Sequence, residues 1–277
     1  MRRSPRRAAR LAALLFAAAS LGALAADIDA LWEFGDPAAS EARFRAQLAS
    51  AGGDERLELL TQVARTYSLR GRFDEADRVL DGVERELARA GPRPRIRYLL
   101  ERGRTRNSAH EVERARTLFL DAWDAARAAR EEGLAVDAAH MVAITWSETE
   151  RGLAWNRRGL ALARASRDAK ARALVPAMLN NSAWDLQALG RRQEALGVFE
   201  EAEREWSRRG RARETAIARW SVAYCLRTLG RVGDAIVILA PLASGPLPDA
   251  RVRSDVLEEM ALDATAMAGL IGPPARP

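Results

Sequence analysis

Few residues in this chain have catalytic potential, and their spacing limits what they can do. His110-Glu111 opens like the His-Glu-x-x-His signature of zinc proteases, where two imidazoles one helical turn apart bind the metal. Arg114 stands where the second imidazole is needed. The other histidine, His140, falls beside Ala139 and Ala143 on a helix-period stripe, the setting of a structural imidazole rather than a base. Cys225 is the only cysteine, so no internal disulfide can form. Its neighbours Val222, Tyr224 and Leu226 predict a buried, inert thiol. The acid pairs Glu200-Glu201 and Glu258-Glu259 read as solvated helix faces. Asn180-Asn181-Ser182 matches a glycosylation triplet but lies inside a predicted helix. Gly-x-Ser-x-Gly, Gly-x-Gly-x-x-Gly and phosphate-loop motifs do not occur. The expectation is a non-enzyme without metal or cofactor, a hydrolase built from scattered carboxylates being the minor alternative.

The first residues predict where the protein works. MRRSPRRAAR carries five arginines and no acid, LAALLFAAASLGAL is apolar, and Ala23-Leu24-Ala25 is a small-x-small cleavage site. That order is a secretory signal peptide over residues 1–25. The apolar run Leu11–Ala26 falls short of the ~20 residues a spanning helix wants. Cleavage and a periplasmic or secreted protein of bacterial type are therefore expected, with no membrane insertion afterwards. An uncleaved N-terminal anchor is the alternative. The net charge of +6 falls to +1 once Arg2, Arg3, Arg6, Arg7 and Arg10 are removed. Acids are interleaved with the remaining arginines, which excludes the clustered basic face of a nucleic-acid binder.

The elements that must position any site repeat along the chain. YSLRGRFDEADRVLDGV, from Tyr67, and LQALGRRQEALGVFEEA, from Leu186, place a Gly (Gly71, Gly190), an Ala five residues on (Ala76, Ala195) and a large apolar residue four further (Leu80, Phe199). Upstream of Gly71, Leu60, Val63, Ala64 and Tyr67 form one helical stripe. Gly71 can end that helix and turn the chain, and Asp74 and Glu75 favour the start of the next through its dipole. The result is a helical hairpin with one uncovered apolar face, which must stack on another like it.

This pattern resembles the tetratricopeptide repeat (TPR) over most of the chain after residue 25. Five copies can be placed, and the residues equivalent to Ala76 are Ala115, Gly152, Ala195 and Ala235. The steps of 39, 37, 43 and 40 residues exceed the usual period of about 34. Linkers such as GPRPR from Gly91 and EEG from Glu131 are expected to absorb the excess. The predicted architecture is all-α, a right-handed solenoid of five hairpins with eleven or twelve helices. Residues 26–56 form a leader and helix, 57–245 the repeat array, and 246–277 a closing helix with a disordered tail. The third copy, from Val136 to Gly159, is degenerate.

The resemblance implies a concave groove lined by the first helix of each hairpin, and a protein or peptide partner within it. Its groove-facing positions correspond to Thr61, Arg65 and Ser68, then Leu100, Arg104 and Asn107. In the last two repeats they are Asn180, Trp184 and Gln187, then Trp220, Tyr224 and Arg227. The groove is expected to run from cationic and polar to aromatic. Arg65 and Arg104 depart from the Lys/Asn clamp by which some of the family hold chaperone tails, so such tails are not expected as ligands. The alternative role is a subunit of an envelope assembly that contacts partners by its convex face.

Overall fold

The structure, a computed structural model, describes residues 27–33, 35–245 and 250–271. The predicted signal peptide and the tail 272–277 lie outside the described residues. Thirteen α-helices and no strand occur among the described residues. They are α1 (Pro37–Leu48), α2 (Gly53–Leu69), α3 (Phe73–Glu86), α4 (Pro92–Ser108), α5 (Val112–Ala129), α6 (Glu132–Thr145) and α7 (Glu150–Ala165). Then come α8 (Ala169–Ala173), α9 (Val175–Ala188), α10 (Arg192–Arg208), α11 (Ala212–Thr228), α12 (Val232–Ser244) and α13 (Ala250–Ile271).

The five hairpins are α2/α3, α4/α5, α6/α7, α9/α10 and α11/α12. Gly71, Gly190 and Gly230 take left-handed backbone angles, with φ of 71°, 76° and 77°. At each, two backbone bonds close the preceding helix. The amide of Arg72 reaches the Tyr67 carbonyl at 3.0 Å and that of Gly71 reaches Ser68 at 3.0 Å, the pattern that a left-handed residue after a helix makes possible. Where the α4/α5 turn lacks a glycine, His110 takes the same conformation at φ 64°. This histidine is therefore a turn residue.

Packing follows the predicted stripes. Ala64, Ala76, Leu80 and Val83 of the first hairpin are fully buried, as are Ala195, Phe199 and Ala202 of the fourth. The small residues set the approach distance. A Cβ on Gly103 would lie 2.4 Å from the Phe119 ring across the second hairpin. The buried side chains form a string of clusters between neighbouring hairpins, so stability is distributed along the array. At the ends, α1 packs on α2, and α13 covers α11 and α12.

Three expectations need correction. GPRPR is no linker, because Pro92 opens α4; proline is tolerated in a first turn, where its missing N–H has no intrahelical partner anyway. EEG likewise supplies the N-cap and first residues of α6. The extra length of the third repeat goes into α8, so thirteen helices stand where eleven or twelve were expected; Asp168 starts α8 by accepting a hydrogen bond from the Lys170 amide at 2.8 Å. No helix of the described residues is long and apolar enough to cross a membrane.

Candidate peptide-binding groove

The N-terminal half of the inner face is built from α2, α4, α6 and α8. Arg65, on α2, points toward the Glu101 carboxylate of α4 (3.6 Å). Arg104 bonds that carboxylate at 2.8 Å and Asp137 of α6 at 2.5 Å. Burial alone would lower the Arg104 pKa, but Asp137 and Glu101 outweigh it and hold the group above its ordinary value. Asp137 is held below the usual carboxylate range because Arg104, and more weakly Arg65, outweigh its burial. Arg65 is pushed down, first by burial and then by the like charge of Arg104.

Glu101 is 2 % exposed. Its Oε1 accepts from Arg104 and from Gln62 Nε2 (3.3 Å), whereas Oε2 accepts no hydrogen bond from the described residues. Beside it lies a cavity of about 330 Å³, walled by Arg65, Leu100, Arg104, Leu134 and Leu174. The cations expected in this half thus gather beside one cavity and are largely neutralised. Of the other positions assigned to this half, Thr61 is fully buried and Ser68 nearly so. Asn107 is half-buried at the end of α4, its carbonyl accepting from the His110 amide at 3.0 Å.

The chain itself enters this half. Residues Ile28–Leu31 form a 3-10 turn that reaches across α2, α4 and α8. Asp29 bonds Arg97 of α4 at 3.0 Å and Lys170 of α8 at 2.6 Å. Asp27 meets the same Lys170 at 2.8 Å. The Trp32 indole N–H donates to Gln62 Oε1 at 2.9 Å, and the Arg65 guanidinium sits 5.2 Å from the Trp32 ring centroid. Ile28 is buried with Phe44, Leu59 and Val63. Burial would raise the Asp29 pKa, but Arg97 and then Lys170 outweigh it and hold the carboxyl below its ordinary value.

The C-terminal half is aromatic, and α9, α11 and α13 build it. Trp184 stacks edge-on against Phe199, with ring centroids 5.1 Å apart, and lies 5.2 Å from Tyr224 and 6.0 Å from Trp220. Trp220 and Tyr224 are 5.9 Å apart. The Trp220 indole donates to the Asp255 carbonyl of α13 at 3.1 Å. Arg227 bonds Glu259 of α13 at 2.5 Å and lies over the Tyr224 ring. Gln187 donates to Thr228 at 2.9 Å, and Asn180 is half-buried on α9. The three rings therefore come together as expected, in half-buried positions and with partners of their own.

The residues singled out for chemistry are scattered. Cys225 is fully buried, its thiol 3.3 Å from the Arg192 carbonyl; burial pushes its pKa up. His140 is half-buried on α6, where burial lowers its pKa and Asp137 opposes. Among the described residues no group of His, Cys, Asp and Glu has metal-site geometry.

Sequence reasoning missed Asp29, Trp32, Arg97, Glu101, Asp137 and Lys170. A signal for some of them does exist. Arg65–Glu101, Arg97–Glu58 and Arg104–Asp137 join residues 36, 39 and 33 apart, about one repeat, so opposite charges at the repeat offset would have found them.

No family model and no curated protein matches this sequence. Solved structures do. NprR in complex with its cognate peptide NprX superposes with a TM-score of 0.56 at 14% identity, over 83% of this chain and 69% of that one. A Podosopora anserina protein described as a kinesin light chain with nearly identical TPR-like repeats gives 0.54 at 16% identity, over 78% and 99%. A variant of that protein gives 0.56, over 76% and 99%. In fold, this chain is a TPR-like helical-hairpin solenoid.

Proposed function

We propose that the protein is an exported, non-catalytic scaffold that binds a protein or peptide partner in its concave groove, as an adaptor or assembly factor of the cell envelope. The observation that carries this reading is the cavity of about 330 Å³ between α2, α4, α6 and α8. Apolar walls from Leu100, Leu134 and Leu174 face buried, oriented charges there. That mixture suits a peptide, whose apolar side chains need surface and whose backbone and charged groups need partners. The structural likeness to NprR, which was solved with a bound peptide, supports it, and the charged-then-apolar leader supports export.

A display library of random peptides, selected on the purified protein, tests the groove. Enriched peptides are expected to lose binding by about tenfold or more on Leu134→Arg, because the long side chain fills the cavity and removes an apolar wall that a seated peptide would use. Binding of the enriched peptides that Leu134→Arg leaves unchanged would place the contact elsewhere. The second helices offer such a surface. Trp123 and Trp155 stack edge-on at 5.4 Å across α5 and α7, and Arg158 lies over Trp155 at 4.5 Å. Export is tested separately by N-terminal sequencing of the envelope-fraction protein, with Ala26 or Asp27 expected first.

A further inference from the structure

The segment Asp27–Trp32 treats the inner face as a ligand would. It is short, its only regular structure is one 3-10 turn, and its bonds to α2, α4 and α8 come from side chains. Asp27 and Asp29 converge on Lys170, Asp29 also engages Arg97, and Trp32 bonds Gln62 under the Arg65 guanidinium. We propose that this segment is an intramolecular ligand of the groove, and that the groove's external partners are peptides of the same chemistry. Such a peptide carries two acidic residues flanking an aliphatic one, with a tryptophan one helical turn further on. This rests on the reading of the groove as a peptide site and specifies what it recognises.

Three features make the segment exchangeable. The Lys170 pairs with Asp27 and Asp29 are exposed, and exposed ion pairs hold weakly and are screened by salt. Ile28 is the segment's one buried apolar side chain, and Leu31 and Trp32 pack only partly buried beside it. Most tellingly, the site continues past the segment. Asp29 forms only one wall of the 330 Å³ cavity, and beyond it stand Leu100, Leu134, Leu174 and the unbonded Glu101 Oε2. A longer peptide gains the apolar walls that the segment leaves uncovered. Departure of the segment would strip Lys170 of both its aspartates and leave Arg97 with Glu58 alone. The vacated site therefore leaves the Lys170 ammonium without a carboxylate and favours an acidic occupant there.

The test uses the whole protein and a fluorescently labelled peptide DIDALWE, the sequence of residues 27–33. Its binding is followed by anisotropy to wild type and to a double variant, Asp29→Ala with Trp32→Ala, that weakens the resident segment. The variant is expected to bind the peptide about tenfold or more tightly than wild type, with binding lost in 0.5 M salt and lost again when Lys170→Glu is added. A peptide with both aspartates and the tryptophan replaced by alanine should not bind. Equal binding to wild type and variant, or none to either, overturns the proposal.

Hydrogen exchange supplies a second readout that survives a poorly folding variant. Lys170→Ala, whose site lies on α8, should speed exchange at residues 28–33 while α2 to α6 keep their protection. Loss of protection throughout α1–α3 would instead identify the segment as a fixed cap, and the proposal fails. Library-selected peptides sensitive to Leu134→Arg would stand in that case, so this inference can fail without the groove reading. Selected peptides that ignore Leu134→Arg would remove the groove reading itself.

Discussion

Trp184→Ala and Trp220→Ala separate a packing role from a binding role for the aromatic half of the groove. Trp184 makes ring contacts with Phe199, Tyr224 and Trp220. Pairs of this kind contribute ~0.5–1.5 kcal/mol each beyond burial, and truncating a core tryptophan costs ~3–5 kcal/mol. Trp184 is half-buried, so about 2–4 kcal/mol is expected. Trp220 loses two ring contacts and the bond that ties α11 to the Asp255 carbonyl of α13, for about 2–3 kcal/mol. In a chain of this size each kcal/mol moves Tm by roughly 2–4 °C. Calorimetry should then show Trp184→Ala melting roughly 5–15 °C lower and Trp220→Ala somewhat less. The double variant should cost less than the sum, because the two residues share a contact. Affinity for a selected peptide should fall only in step with stability. Unchanged melting with binding weakened by ~2 kcal/mol or more would mark both as anchors and refute the packing argument.

Gly103→Ala places a methyl group 2.4 Å from the buried Phe119 ring and should destabilise by about 1–3 kcal/mol despite alanine's better helix propensity, as read by urea unfolding. His110→Gly should stabilise by about 0.5–1 kcal/mol, since it relieves a left-handed backbone less the entropy glycine adds to the unfolded chain; a lower urea midpoint would contradict this. Burial, and then the charge of Glu259, raise the Asp263 pKa to about 6, with Arg227 opposing. Against an ordinary aspartate near ~3.9, the folded state holds the extra proton between about pH 4 and 6, so this contribution is full below that window and is lost as pH rises through it. Asp263→Asn should therefore flatten the fall in Tm from pH 4 to 7 relative to wild type, and parallel curves would refute it.

The hairpins were legible because each is decided within about 40 residues. Gly71, Gly190 and Gly230 end helices, and Ala76, Ala195 and Ala235 let their partners approach; all these signals lie next to the structure they cause. The groove was half legible. Helical spacing brought Trp184, Trp220 and Tyr224 to one place, but nothing in their surroundings in the sequence announced that Asp255 and Glu259 of α13 would meet them. Arg65 and Arg104 read in the sequence as open cations because Glu101 and Asp137 act from the next repeat. Least legible was the segment from Asp27 to Trp32. The Asp29–Lys170 bond spans 141 residues, and no local rule of helix or turn predicts a contact of that range.

On the proposed reading, a groove whose cations already have partners selects its ligand by exclusion. Arg97 is 6 % exposed and is held by Glu58 and Asp29 together. A neutral peptide seated in place of residues 27–32 would leave Arg97 with one carboxylate and Lys170 with none, and a half-compensated buried charge is costly. An acidic peptide carries no such penalty, since it returns to each cation what it displaces. Discrimination then comes as much from rejecting neutral and basic sequences as from contacts with acidic ones. Arg65 extends the same logic to the aromatic position, because burial and the like charge of Arg104 both press on it while the Trp32 ring faces its guanidinium. A ring in that place stabilises the cation through its π face, so a ligand that offers an aliphatic side chain instead would fill the volume and still lose to the resident segment.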